Sequence, residues 1–566
     1  MKQSDSMLMC GGGVMQLPAI RIARDEGFRV VVADGNSSCV GRVEADVFAH
    51  IDLKDDEALI RCARDHGVVA VCTAGTDFSL TVARVAEACG LPGVSVDAAL
   101  HATDKALMRE RLAAAGVSVP PFAVYRDGTR VSGHEEVPLP AVVKPVASMG
   151  ARGVRRISAP EELSDAIAAA LPHTRDGRVI VESFIPGTEY SIDALVTPTQ
   201  RIVCGIADRH IAIPPNFVET GHTIPTSLPD DLQALLTREF FRAVDAIGIC
   251  PGAAKGDVFI VDEDRRPTWL PGTGAAVVIG EIAARLSGGY MSGWTYPYCS
   301  GVEPTRGAIR IAAGREPDLP APFRNTIAAE RAIMSIPGTL AEDIPCAPLR
   351  SSPGVKECFI RVRAGDTVAI PSNNVEKCGN LIITGESRDE LGLRVKAALS
   401  RVHIPLSPGN PVTLRFLLGP ERPAQTVYAA DERYHGPLDP PDDATRDRLC
   451  VAWLRETVET TARQGWTAET SPADEIAQCA LQVHERLPER PEQDLQGFTR
   501  TEVLARIVRA WGARSTSLPA SCAAAVLLLS CERGGLQGLH YVIDTLTEEA
   551  SCRKTQELLE QYYGPH

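Results

Sequence analysis

Between residues 100 and 300 the chain sets out two lysines, a glycine-containing loop and two well-separated carboxylates. Lys105 opens a helical stretch, and Lys144 ends the strand-like run AVVK. An unpaired ammonium at the end of an apolar strand is costly, so Lys144 calls for an anionic ligand or an ion-pair partner. The loop from Ser148 through Gly150 to Gly153 can turn its backbone N–H groups toward phosphates, because glycine allows close approach. Two cations and such a loop suit a polyphosphate. Asp257 and Glu281, on or beside predicted strands, can hold Mg²⁺, a hard ion that takes oxygen ligands and bridges nucleotide phosphates. The chain has neither the G-x-x-x-x-G-K-[ST] loop nor the kinase H-R-D, so the common phosphoryl-transfer templates do not fit.

These residues need elements to position them. Over the first hundred residues, short apolar runs (SMLMCGG, FRVVVAD, FAHID, VVAVCTAG) alternate with helical stretches such as Leu17–Asp25 and 56–66, which predicts a parallel sheet covered on both faces. Gly11-Gly12-Gly13 and Asp34 form half of a dinucleotide fingerprint, left incomplete by Gln16. From Pro120 the texture turns to hairpins. VVKPVASMGARGVRRI reads as two strands joined by the glycine loop and followed by a helix over 160–170. Further strands are VIVESFIPGTEYSIDALV, RIVCGIADRHI and GDVFIVDEDRRPTWL, with a long amphipathic helix over 228–248. Asp262, Glu263 and Asp264 read as solvated turn charges. A small mixed region follows from about Arg306, with strands in FIRVRAGDTVAIP and GNLIITGES. A Pro/Asp-rich linker then leads to helices over 444–464, 473–486 and 501–511, whose apolar stripes suit a core or interface, including that of a homodimer.

Composition narrows the classes. A length of 566 residues implies three to four domains, and 44% hydrophobic against 23% charged residues is an ordinary globular balance. The net charge of −14 argues against a nucleic-acid binder. Sixteen cysteines are scattered without a C-x-x-C pair, which reads as reduced, buried thiols rather than a disulfide framework. No apolar run is long enough to span a bilayer, and the N-terminus shows no secretory h-region. The expectation is a cytoplasmic protein with no membrane and no nucleic-acid partner.

The order of the pieces resembles the ATP-grasp superfamily and, within it, the carboxylate–amine ligases of the L-amino acid ligase type. The resemblance runs from about Leu8 to Gly419 and rests on five segments in the family's order: T103DKALMRERLAAAGVSVPPF122, V142VKPVASMGARGV154, V181ESFIPGTEYSID193, K255GDVFI260 and G280EIAARLSGG289. It implies an N-terminal parallel α/β domain over 1–118 and an ATP-grasp α+β fold over 119–305, with a lid subdomain over about 119–190. A small α+β part over 306–419 completes the ligase core, and the linker and α-helical domain occupy 420–566. The implied cofactors are ATP and Mg²⁺, with Mn²⁺ as a substitute.

The same resemblance implies the site roles. Lys105 and Lys144 contact the α- and β-phosphates, and the loop with Ser148, Gly150 and Gly153 closes over the β- and γ-phosphates. Glu182, Phe184 and Ile185 line the adenine pocket through the backbone, and Glu189 binds the ribose. Asp257 and Glu281 coordinate the metal. Arg285, placed one helical turn beyond Glu281, stabilises the transferring phosphate or binds the substrate carboxylate. Arg209, His210, Glu219 and His222 lie where amino-acid ligases of this kind place substrate contacts. Glu219 would hold an amino group, with His222 orienting it or removing a proton, while Ser287 and Gly288 shape the acyl pocket. Cys299 has no activating base near it in sequence and is not expected to be a nucleophile. The family's E-x-N-x-R pattern has Asn where this chain has Ala283, which removes one metal ligand and puts a second Mg²⁺ in doubt.

The implied reaction joins a small carboxylate, an amino acid or small peptide, to an amine through an acylphosphate, releasing ADP and phosphate. The competing expectations are an ATP-grasp carboxylase that activates bicarbonate, and a nucleotide-binding regulatory protein without catalysis.

Overall fold

The computed structural model describes residues 5–418, apart from 175, 213–215 and 400, together with scattered positions between 530 and 554. The linker and the helices expected over 444–464, 473–486 and 501–511 lie outside the described residues. The chain divides into two compact units: Met1–Ile211, Glu219–Arg331 and Ile382–Leu391 form the first, and Ala212–Val218, Ala332–Leu381 and Gly392–His566 the second.

In the first unit, strands β1 (Ser6–Cys10), β2 (Arg29–Asp34), β3 (Val47–His50) and β4 (Val68–Cys72) form a parallel sheet in the order β3-β2-β1-β4. Successive side chains of β1 alternate between two buried faces. Met7 and Met9 pack with Ile20 and Ala23 of helix α1 (Leu17–Asp25), while Leu8 and Cys10 pack with Leu59 and Ala63 of α2 (Asp56–Asp65). The glycine turn after β1 is filled by the protein itself. Gly12 N–H donates to Asp34 Oδ2 at 2.7 Å, and Gly13 N–H donates to Gln16 Oε1 at 3.0 Å. The acid that would face a ribose in a dinucleotide fingerprint is thus bonded to its own turn.

Helices α3 (Ser79–Cys89), α4 (Val96–Thr103) and α5 (Lys105–Ala114) lead out of this sheet. Asp104 ends α4 and caps α5, accepting from the N–H groups of Ala106 and Leu107, both at 3.0 Å. A five-stranded sheet follows, built from β5 (Phe122–Arg126), β6 (Thr129–Gly133), β7 (Ala141–Pro145), β8 (Arg155–Ile157) and β9 (Arg178–Ser183) in the order β6-β5-β9-β7-β8. One face packs Val143, Ile157 and Val181 on α6 (Leu163–Ala170), and the other packs Phe122, Val124 and Ile180 against Ala106 of α5.

The larger sheet of this unit runs β14-β13-β10-β11-β12-β15, where β10 is Thr188–Val196, β11 Arg201–Ala212, β12 Val218–Ile224, β13 Gly252–Val261, β14 Ala276–Ala283 and β15 Ile327–Ile333. Tyr190, Ile192, Ala254, Val258, Ile260, Val277 and Ile279 bury one face under α7 (Asp230–Ile247), through Phe240 and Val244. The period of two therefore places Glu189, Ser191, Asp193, Lys255 and Asp257 on the opposite face. The mixed α/β architecture, with a parallel sheet followed by antiparallel ones, is the expected fold class.

The second unit holds β16 (Gly338–Thr339), β17 (Val355–Ile360) and β18 (Thr367–Val368), with β16 antiparallel to β18, and the helix Pro411–Leu418. Gln537 and Tyr541 belong to it. Gln537 Nε2 donates to Ser335 Oγ at 2.8 Å and its Oε1 accepts from Ile336 N–H at 3.2 Å, while Tyr541 OH accepts from Asn410 N–H at 2.8 Å. Among the described residues no helix is long and apolar enough to cross a membrane, and the cysteines are free thiols.

Candidate active site

The α5 cap fixes Lys105 at the first helical position, and burial leaves the residue 6% exposed. Its Nζ donates to the carbonyl of Ser148 at 3.0 Å and lies 3.5 Å from Glu281 Oε1. One lysine thus touches both the glycine loop and a carboxylate of the larger sheet. Lys144 and Glu182 are diagonal neighbours on β7 and β9, since Val142 pairs with Glu182 and Lys144 with Ile180. The Lys144 ammonium lies 2.5 Å from Glu182 Oε2, and Arg109 Nε lies 2.8 Å from Glu182 Oε1. Arg109 is fully buried, so this row of charges is tolerable only because it is paired. Burial pushes Glu182 up, but Arg109 and Lys144 outweigh it and hold the carboxyl below its ordinary value. Burial also pulls the Lys144 ammonium down, against the attraction of Glu182.

The loop between β7 and β8 carries left-handed backbone at Gly150 (φ 70°), Ala151 (φ 59°) and Gly153 (φ 69°). A Cβ on Gly153 would lie 2.8 Å from the His173 ring. Phe184 N–H donates to the Pro140 carbonyl at 2.8 Å, and Ile185 joins Val261, Leu270 and Val278 in an apolar cluster. Glu182 differs from Phe184 and Ile185 in that its strand is paired on both edges, with β5 and β7, and its side chain is bound in the ion pairs.

On the larger sheet a single guanidinium gathers three carboxylates. Arg209 Nη1 lies 2.5 Å from Glu189 Oε1 and 2.7 Å from Asp257 Oδ1, and Nη2 lies 3.1 Å from Glu219 Oε2. Ser191 Oγ donates to Asp257 Oδ1 at 2.9 Å, and Lys255 Nζ donates to Asp257 Oδ2. Burial raises the Glu189 carboxyl to about 7 despite Arg209. The same burial acts on Asp257, but Arg209 and Lys255 hold it well below the ordinary carboxylate range.

Glu281 reaches this face through a β-bulge. Asp257 pairs with Glu281 but Val258 pairs with Ile279, which leaves Gly280 as the extra residue. Val277 and Ile279 point into the core, so simple alternation would send residue 281 there too; the inserted glycine turns it over to face the site. A Cβ on Gly280 would meet Phe259 Cε2 at 2.6 Å, and the Gly280 carbonyl accepts from Arg109 Nη2 at 2.5 Å. Glu281 is held below its ordinary value by Lys105 and Lys255 in spite of burial. The expected helical turn from Glu281 to Arg285 does not form: Glu281 lies on β14, which ends at Ala283, because strand pairing with β13 fixes the backbone through that point. Arg285 leaves the sheet edge, its Nη1 donating to the Leu286 carbonyl at 3.0 Å.

Ser287 donates through its N–H and Oγ to Asp193, with Oγ at 2.7 Å from Oδ1. Burial raises Asp193 to about 6 against these donors. A Cβ on Gly288 would meet the Gly75 backbone, in the turn after β4, at 3.4 Å. That turn leads to Asp77, whose carboxyl is raised by burial and feels Arg285 and Lys105.

His222 and Glu219, expected to work together, meet different partners. Glu219 is on Arg209, whereas fully buried His222 exchanges a hydrogen bond between Nε2 and Thr295 Oγ1 at 2.8 Å and faces Glu330 with Nδ1 at 3.6 Å. Three residues apart on β12, they project to opposite faces. His210 Nε2 is 3.0 Å from Thr223 Oγ1. The structure adds Arg109, Lys255, Asp193 and Asp77 to the residues expected from sequence. Of these, Lys255 was the most legible, since the spacing Lys-x-Asp on a strand puts both side chains on one face.

Residues 137–265 match the ATP-grasp domain, and residues 332–407 match the L-amino acid ligase C-terminal domain 2. Among curated relatives, the uncharacterized protein y4rH of Sinorhizobium fredii is 26% identical over 372 residues, 64% of this chain and 74% of that protein. A D-alanine–D-alanine ligase of Syntrophotalea carbinolica is 32% identical over 190 residues, 32% of this chain and 60% of that enzyme; the chain spans little more than half the length of such ligases. The crystal structure of an L-amino acid ligase from Bacillus licheniformis superposes with a TM-score of 0.60 at 19% identity, covering 72% of this chain and all of that one, a likeness of fold. The chain therefore carries an ATP-grasp domain followed by an L-amino acid ligase C-terminal domain, and its named relatives include ATP-grasp ligases.

Proposed function

We propose that this protein joins a small carboxylic acid, such as an amino acid, to an amine at the expense of ATP, through an acylphosphate, with release of ADP and phosphate. The observation that carries this reading is Lys105, which bridges the glycine loop at Ser148 and the carboxylate at Glu281. That contact brings the glycine loop, a fixed cation and a carboxylate to one point. Lys105 and Lys144 would hold the α- and β-phosphates, Glu189 the ribose hydroxyls, and the apolar cluster around Ile185 the adenine. The 148–153 loop would close over the terminal phosphates and exclude water, which would otherwise hydrolyse the acylphosphate.

Asp257 and Glu281 are cross-strand partners able to offer oxygens to a hard cation, which fits one Mg²⁺ or Mn²⁺. Such an ion, when bound, shields phosphate charge. The substrate carboxylate would attack the γ-phosphate while Arg285 offsets the developing negative charge, since this chemistry rests on positioning and electrostatics. The amine would then displace phosphate from the acyl carbon. Glu219, held at the same face by Arg209, would receive the incoming ammonium. Small charged substrates and free buried thiols suit a cytoplasmic setting. An ADP-release screen of acids and amines in pairs, with mass detection of product, tests the proposal: ADP release that needs both partners supports it, and release with bicarbonate alone contradicts it.

A further inference from the structure

Lys255 has no role in the reading above. It lies on β13 in register with Ala283 on one side and Asp193 on the other. Its ammonium is bonded to Asp257 Oδ2, and its charge is felt by Glu281, Glu189 and Asp193. The methyl group of Ala283 offers no ligand atom at the position where the E-x-N-x-R pattern supplies an amide. A second divalent ion here would lack that ligand and would be repelled at short range by an ammonium in a buried, weakly screened setting.

We propose that the Lys255 ammonium is a built-in cation occupying the place of a second divalent ion, so that the site takes one divalent cation per nucleotide. This rests on the proposed nucleotide site, and the test separates the two. The full chain is dialysed to equilibrium with Mn²⁺ and the non-hydrolysable analogue AMP-PNP, and bound Mn²⁺ and bound nucleotide are counted, with the Mn²⁺ electron paramagnetic resonance spectrum recorded. About one Mn²⁺ per bound nucleotide, without spin coupling between ions, is the expected result. A ratio near two with a coupled spectrum, or near zero, overturns the inference while leaving nucleotide binding intact; failure to bind AMP-PNP defeats the nucleotide-site reading instead. The double variant Lys255→Ser with Ala283→Asn should raise the ratio toward two. If that variant binds AMP-PNP and stays at one, Lys255 is not what excludes the second ion.

Discussion

Lys144 and Glu182 show why a charged residue inside a sheet was readable while its partners were not. The sequence places an ammonium at the end of an apolar strand and demands a counter-charge, but that counter-charge, Glu182, lies 38 residues after it and is shared with Arg109, 35 residues before it. Lys144→Ala is expected to lower ATP-dependent turnover by at least about 10²-fold, as for removal of one preorganised electrostatic group, with the melting temperature checked in parallel. Glu182→Ala would leave Arg109 buried without its carboxylate and should destabilise the fold by about 3–5 kcal/mol, read by denaturant unfolding. Glu189 supplies a pH test. Its carboxyl is raised by burial to about 7, so the folded state keeps a proton that the unfolded chain has already lost. Ionising Glu189 therefore costs stability as pH climbs from the ordinary carboxylate range to about 7, and below that point the Arg209 pair is lost. Nucleotide affinity is expected to rise from about pH 6 to about pH 8 as Glu189, the proposed ribose acceptor, ionises, and Glu189→Gln should flatten that rise in a titration with AMP-PNP.

At the scale of elements, the bulge at Gly280 is the feature that sequence periodicity could not supply. Along AVVIGEIA, strict alternation would bury Glu281 with Val277 and Ile279. Only the register shift opposite Asp257 brings the two carboxylates to one face. Gly280→Ala forces a Cβ against the Phe259 ring and should cost about 1–3 kcal/mol, with partial recovery in the double variant carrying Phe259→Leu, measured by thermal melting. The strands and helices themselves were legible, because β1, β7 and β9 are short apolar runs and α1 and α7 carry apolar residues at helical spacing. His222 was misread for the opposite reason: a histidine three residues from Glu219 looks like its partner, yet strand geometry turns it into the core beside Thr295. The helical turn assumed after Glu281 failed because the same Glu-x-x-x-Arg spacing occurs at a strand edge.

Across the whole molecule, a net charge of −14 surrounds the proposed polyphosphate site, so on that proposal Lys105, Lys144, Arg285 and Lys255 would shape the field locally. The second unit draws on residues far apart in the chain. Gln537 and Tyr541 satisfy Ser335, Ile336 and Asn410, and a chain ending at residue 418 would leave these groups without those partners, at about 1–3 kcal/mol for each buried one. Such a chain is expected to melt earlier than the full protein, by calorimetry. Nothing in the composition of the last hundred residues announced that tie, because a glutamine and a tyrosine on a helix read equally well as surface. The proposed ATP-dependent joining of an acid and an amine is tested most directly by ADP release across paired amino acids and small carboxylates, followed by mass spectrometry. Release that requires both partners, with a product weighing their sum less one water, is the predicted result; tight ATP binding with no ADP released for any pair, or release driven by bicarbonate alone, would contradict it.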